Sequence, residues 1–240
     1  MAVMKIRING QLLLLMLTER IIAAGGKMIQ INTDGILYLF DKDKLDKLNE
    51  ILHQWEVETK LMLETEEFEA FYQYAINDYL GVLKGFSESR DYKLLKRKGF
   101  FIDEVSLGKG MQPVIIPKAV TEYFINGTPI QETICNCRNL NYFITYQKVS
   151  RDYKVEYNEK LISRINRYYA STNGHYLFKC KVDNEGRRTD YNHMLKASGV
   201  TIVNNLQELK EFPTNINYNY YIGEATKIIT QFENRQLSLF

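Results

Sequence analysis

The sequence predicts an α+β fold, on three observations. Residues from about Lys5 to Ala24 carry a helical pattern that is apolar nearly all round, through Leu12 to Leu17 and Ile21-Ile22. Two short apolar runs, 27–31 and 36–40, flank Asn32-Thr33-Asp34-Gly35, and Asp-Gly between apolar runs is a strong hairpin signal. From Asp43 to about Glu58, Leu45, Leu48, Ile51, Leu52 and Trp55 recur at helical spacing, with Lys44, Lys47 and Glu50 elsewhere.

The first helix stops at Gly25-Gly26, since glycine suits a left-handed C-cap. A helix apolar on all sides is expected to be buried on most of them, for instance beneath a sheet. Leu61 to Thr65 and Tyr79 to Leu83 read as further strands. The acidic, aromatic stretch between them, from Glu66 to Tyr72, fits no single period. Gly85-Phe86-Ser87 is a turn, and Tyr92 to Lys98 is a candidate strand. Residues 103–112, with Gly108 and Gly110, form a loop or boundary. Pro117 opens a helix through Phe124 that Asn126-Gly127 ends, and Thr128 is the expected N-cap of another to Cys135. The remainder is short segments rich in Tyr, Asn, Lys and Arg. There is no internal repeat. The pattern is an α+β region of about 110 residues followed by a smaller mixed domain.

The chain has 240 residues, 45% hydrophobic and 25% charged, an ordinary globular composition. Lys and Arg number 31 against 29 Asp and Glu, so net charge does not announce a polyanionic partner. Any such footprint lies in how the charges are distributed. Three cysteines, Cys135, Cys137 and Cys180, make a poor disulfide framework, and a reducing compartment is expected. Cys180, His175 and His193 match no familiar zinc spacing. Glu19 and Arg20 interrupt the N-terminal apolar run, so a signal peptide is not expected, nor is a membrane span. The expected location is the cytoplasm.

Asp34 stands at the tip of a hairpin with strongly apolar strands. A rigid hairpin that presents a carboxylate can hold a hard cation such as Mg²⁺, although Asp-Gly is also simply a turn former. The sequence Gln30-Ile31-Asn32-Thr33-Asp34-Gly35 resembles the third palm motif of family-B DNA polymerases, Tyr-x-Asp-Thr-Asp-Ser, behind the helix Gly10-Gln11-Leu12-Leu13-Leu14-Leu15. Asn77-Asp78-Tyr79-Leu80-Gly81-Val82 resembles the family's Lys-Arg-Tyr strand, and Leu95-Lys96-Arg97-Lys98-Gly99-Phe100 its Lys-x-Lys-Gly segment. Ile116-Pro117-Lys118-Ala119-Val120 resembles the Pro-Lys that begins the thumb. Four short motifs stand in the family's order, most convincingly over residues 5–133.

The resemblance implies part of a polymerase palm, an antiparallel sheet with helices on one face, over residues 1–110. A mixed, mainly helical thumb with a C-terminal tail follows over 111–240. Asp34 is then the catalytic metal ligand, and Asn32, in place of the family's first aspartate, offers a weaker, uncharged oxygen. Gln30 and Gly35 replace the motif's tyrosine and serine; Asn77 and Asp78 replace basic residues, leaving Tyr79. Polymerisation in this family uses two Mg²⁺ ions, roughly 3.5–4 Å apart. The partner aspartate, in Asp-x-x-Ser-Leu-Tyr-Pro, and the nucleotide-binding helix with Asn-x-x-Tyr-Gly are not in these 240 residues. The implied role is a C-terminal fragment or split subunit, inactive alone, that meets dNTP only with the missing palm and fingers.

The implied primer–template contacts are Tyr79, Lys93, Lys96, Arg97, Lys98 and Lys118, with Lys109 beside them. Lys148, Arg151, Arg164 and Arg167 extend them through the thumb, interleaved with Tyr146, Tyr153, Tyr168 and Tyr169. Basic–aromatic interleaving suits a nucleic-acid surface and equally an aromatic core with charged edges. The acidic stretch from Glu64 to Glu69 is expected to face away from DNA. The last five residues, Gln236-Leu237-Ser238-Leu239-Phe240, resemble the pentapeptide by which replication proteins dock on the bacterial sliding clamp, which points to a bacterial cell, its phage or its plasmid. Two further readings stand beside this one. One is a non-catalytic module that grips DNA and clamp; the other is a metal-dependent nuclease, against which stands the single carboxylate at a convincing turn.

Overall fold

The computed structural model describes residues 2–105, 110–205 and 211–236. It is an α+β structure whose sheets are antiparallel. Two compact units divide it: residues 1–69 with 83–87, and residues 70–82 with 88–240. The boundary expected at 110 falls inside the second unit.

In the first unit, helix α1 (Ala2–Ala23) is followed by strands β1 (Lys27–Ile31) and β2 (Ile36–Leu39) and helix α2 (Leu45–Thr59). Gly25 takes φ +99° and Gly26 lies where a Cβ would strike Ile21, so both glycines are needed to turn α1 into β1. Leu17, Ile21, Leu48 and Trp55 form the core, with Met28, Ile36, Tyr38 and Phe40 packed on it from the hairpin. The Trp55 indole N–H donates to the Leu13 carbonyl at 2.8 Å, which fixes α2 against α1. Arg20 and Glu58 close the other end at 2.6 Å.

One expectation is corrected here. Helix α1 is not buried on most sides. Leu17 and Ile21 are buried, but Val3, Met4, Ile6 and Leu12 are 57–71% exposed. The hairpin and α2 cover one side of its C-terminal half and leave the rest bare.

Residues 61–65 form no strand. The next strand is β3 (Phe68–Ala75), in the stretch that showed no clear period, and it is followed by β4 (Asp78–Leu83) and a short helix, α3 (Phe86–Ser89). The Glu69 carboxylate accepts hydrogen bonds from the Gly85 N–H (2.6 Å), the Ser87 N–H (3.1 Å) and the Ser87 hydroxyl (2.5 Å). Glu67 pairs with Lys84 at 2.6 Å. Two of the acidic residues therefore hold the returning chain.

In the second unit β4 pairs with β5 (Leu95–Lys98), giving the order β3-β4-β5. Helices α4 (Ile115–Asn126) and α5 (Ile130–Asn136) follow. Pro117 lies in the first turn of α4, two residues after its start; Pro129, not Thr128, precedes α5. The Tyr- and Asn-rich remainder forms seven strands: β6 (Thr145–Lys148), β7 (Lys154–Tyr157), β8 (Lys160–Ile162), β9 (Ile165–His175), β10 (Leu177–Val182), β11 (Arg188–His193) and β12 (Val200–Ile202). They make two sheets, β12-β9-β6 and β11-β10-β7-β8. Both contribute to one core cluster: Val155 and Leu177 from the second, Tyr168 and Val200 from the first. Region 111–240 thus holds as much sheet character as helix.

Helix α6 (Tyr218–Gln236) packs on α4 and α5 and reaches β9. Tyr221 is fully buried. Its hydroxyl donates to the Phe143 carbonyl and accepts from the Ala170 N–H, each at 2.8 Å. Burial pushes its pKa up, so the proton needed for donation stays in place. Among the described residues no helix is long and apolar enough to cross a membrane.

Tyr221→Phe should lower stability by about 1–3 kcal/mol, because two buried backbone groups lose their partner. Urea unfolding followed by circular dichroism measures it. A loss near zero would mean that the hydroxyl does not tie the helix to the sheet.

Candidate metal centre and nucleic-acid interface

The β1–β2 hairpin pairs Ile31 with Ile36, so the loop is the four residues Asn32 to Gly35, closed by the Asn32 N–H on the Gly35 carbonyl at 2.8 Å. Asp34 is exposed on this loop. Gly35 has no positive φ, and a Cβ built there meets nothing within 4 Å, so a serine side chain would fit. The Asn32 side-chain oxygen accepts from the Gln30 amide at 2.7 Å. The oxygen that would serve a cation is therefore engaged by the residue two positions before it. Arg7 and Gln11, one turn apart on α1, line a cleft with Thr33 beside this loop.

Asp34 and Asn32 fit part of a metal site. One carboxylate is far short of the several oxygens a Mg²⁺ ion takes. Among the described residues no three His, Cys, Asp or Glu side chains converge. Cys180, His175 and His193 are not brought together in such a group. Burial and the neighbouring Glu156 carboxylate push the buried Cys180 thiol's pKa up, which suits a core cysteine.

The β4–β5 pair carries the second candidate. Tyr79 faces Lys98 and Gly81 faces Lys96, so Tyr79, Lys96 and Lys98 share one face. The Lys98 ammonium lies 5.8 Å from the centre of the Tyr79 ring, and Phe71 backs that ring at 4.9 Å. Arg97 is on the opposite face, opposite Leu80, with Asp103 at 3.5 Å. The structure separates it from the two lysines. Asp78 stands where the family pattern has a basic residue, and its carboxylate accepts from the Phe100 N–H at 2.8 Å. Gly99, at φ +59°, lies against Asp78 where a side chain would clash.

Lys93 is exposed in the one-turn helix before β5, and Lys118, half-buried on α4, lies 5.8 Å from the Tyr142 ring. On the β6–β9 pair, Tyr146 opposes Arg167 and Lys148 opposes Ile165. The Arg167 guanidinium stacks 4.5 Å from the Tyr146 ring, so Tyr146, Lys148 and Arg167 form a second basic–aromatic face. Arg151 and Arg164 flank it, Arg164 through its carbonyl, which accepts from the Val149 N–H at 2.9 Å. Tyr168 and Tyr169 are buried, and Tyr153 packs on the core. The interleaving is thus aromatic core for those three tyrosines and half-buried surface at Tyr146.

Helix α6 ends at Gln236; Leu237 to Phe240 of the tail, and Lys109, lie outside the described residues. Gln30 stood in the sequence only as the replacement for the motif's tyrosine, and no site role was read there for Arg7 and Gln11. The spacing of 7 and 11 on a helix facing the loop is the signal that could have found the last two. Compared with protein-family models, with curated proteins and with solved structures, the chain finds no match.

Asp78→Ala should lower stability by about 1–2 kcal/mol, because the Phe100 N–H loses its acceptor. Denaturant titration measures it. An unchanged midpoint would mean that Asp78 is free for another role.

Proposed function

We propose that this chain is the C-terminal palm and thumb portion of a family-B DNA polymerase, a fragment or one subunit of a split enzyme. The observation that carries the reading is the hairpin: two apolar strands on a helix, with Asp34 exposed at the loop. Asp34 would be one ligand of a two-Mg²⁺ site that other polypeptide completes. There the ions would supply activation of the primer 3′-hydroxyl and charge stabilisation on the leaving pyrophosphate. Tyr79, Lys96 and Lys98 would grip primer–template phosphates, which positions the duplex without reading its sequence. Tyr146, Lys148 and Arg167 would extend that grip, and Gln236 to Phe240 would tether the enzyme to a bacterial-type sliding clamp. The setting is a bacterial cell, with the gene carried by host, phage or plasmid.

The uncovered apolar surface of α1 and the hairpin supports a partner polypeptide. Ile6, Leu12, Ile29, Ile31 and Leu39 are all 46–71% exposed, and large exposed apolar surface marks sites of protein contact. The second reading, a non-catalytic module that binds DNA and clamp, is favoured by one observation. Asn32 is neutral and its oxygen is engaged by Gln30.

The isolated chain should not extend a primer. With the polypeptide that carries the missing motifs, synthesis should fall at least about a hundredfold on Asp34→Ala, the scale of losing an essential electrostatic group. Unchanged synthesis would favour the non-catalytic module. Deleting Gln236 to Phe240 should abolish clamp binding in a pull-down and leave DNA affinity intact; retained clamp binding would remove the tail from the proposal.

A further inference from the structure

The sheet β11-β10-β7-β8 turns one face to the core and the other outward. Pairing places Phe178 opposite Glu156 on β7 and opposite His193 on β11, so these three share a face. Tyr176 and Tyr191 have the same parity as Phe178 and His193, and their rings join the same cluster. Tyr176 lies 5.1 Å from His193, Phe178 lies 4.5 Å from His193, and Tyr191 lies 5.5 Å from Phe178. Val155 and Leu177, on the other face, are buried in the core. The outward rings are not: Tyr176 is 49% and Tyr191 47% exposed.

The charges on this face are arranged around the rings. Its carboxylate, Glu156, is buried and accepts from Arg188 at 2.7 Å and from the Tyr191 hydroxyl at 2.9 Å. That pair neutralises the acid and orients the Tyr191 ring. Lys154, two residues before Glu156, is exposed and shares its side of the strand. Among the described residues no carboxylate pairs with it. The face therefore offers four clustered rings, a neutralised acid and an uncompensated cation.

We propose that this face binds single-stranded nucleic acid, with bases stacking on Tyr176 and Tyr191 and a backbone phosphate meeting Lys154. Exposed rings offer flat faces on which unpaired bases can stack, whereas a duplex hides the faces of its bases in its own stack. The surplus positive charge on the face complements a phosphate backbone. Base stacking is tolerant of sequence, so the face would hold an unpaired strand of any sequence. The inference rests on the nucleic-acid part of the reading above, but on a different sheet from the one assigned there to the duplex grip.

The test is fluorescence anisotropy of the full chain with a labelled single-stranded oligonucleotide of mixed sequence and with the same strand in a duplex. Tyr176→Ala and Tyr191→Ala should each weaken single-strand binding roughly tenfold and leave duplex binding unchanged. Tyr191→Phe keeps the ring and loses only the bond to Glu156, so it should bind within about twofold of the parent, separating stacking from folding. The double variant Lys96→Glu and Lys98→Glu should do the reverse and weaken the duplex. Single-strand affinity untouched by both alanine variants overturns the proposal and leaves the polymerase reading standing. If those variants lose a polypeptide partner instead, the face is a protein-docking surface and the proposal is equally overturned. A parent chain that binds neither form removes both.

Discussion

The hydroxyl of Tyr221 joins three parts of the second unit that are distant in sequence. It takes the Ala170 N–H from strand β9 and gives its proton to the Phe143 carbonyl just before β6, from a helix that begins at Tyr218. Burying a phenol costs least where both its donor and acceptor capacities are used, and here they are. The bond sets the rotation of α6 about its axis. With that rotation fixed, Phe232, three turns on, meets Tyr74, Phe101 and Phe124. The helix thereby ties the β3-β4-β5 sheet and α4 to the strands of β12-β9-β6.

This arrangement explains where the candidate surfaces lie. Each sheet of the second unit turns one face inward, and alternation along a strand sends every other side chain out. On β5 the alternation separates Lys96 and Lys98 from Arg97. On β9 it separates Arg167, stacked on Tyr146, from the buried Tyr168. Residues adjacent in sequence thus take opposite parts, one in the core and one on the surface. A run of basic and aromatic residues does not act as a block.

The sequence disclosed elements whose signal is local. The Asp34 hairpin, the glycine-capped α1, the amphipathic face of α2 and the end of α4 at Gly127 all follow from periodicity and turn chemistry. What it hid depends on contacts far along the chain. Strands β6 to β12 are rich in Tyr, Asn and Lys, and their order pairs β12 with β9 and β10 with β7. No window of a dozen residues carries that information. The exposure of α1 was equally hidden, since an all-round apolar helix reads the same whether its neighbours are present or not. At the candidate site, Asp34 was legible as a carboxylate at a turn. The engagement of Asn32 by Gln30 was not, because it depends on two amides sharing one side of a strand.

The carboxylate of Glu69 has a topological consequence. It closes the chain on itself, with residues 70–82 leaving and residues 83–87 returning to the same side chain. The polypeptide therefore passes between the two units three times, at 69/70, 82/83 and 87/88. No single cut releases either unit whole: a break at the first crossing strips residues 83–87 from one, and a break at the last strips residues 70–82 from the other. The units are compact as objects in space but inseparable as lengths of gene, and each is inherited only together with part of its neighbour.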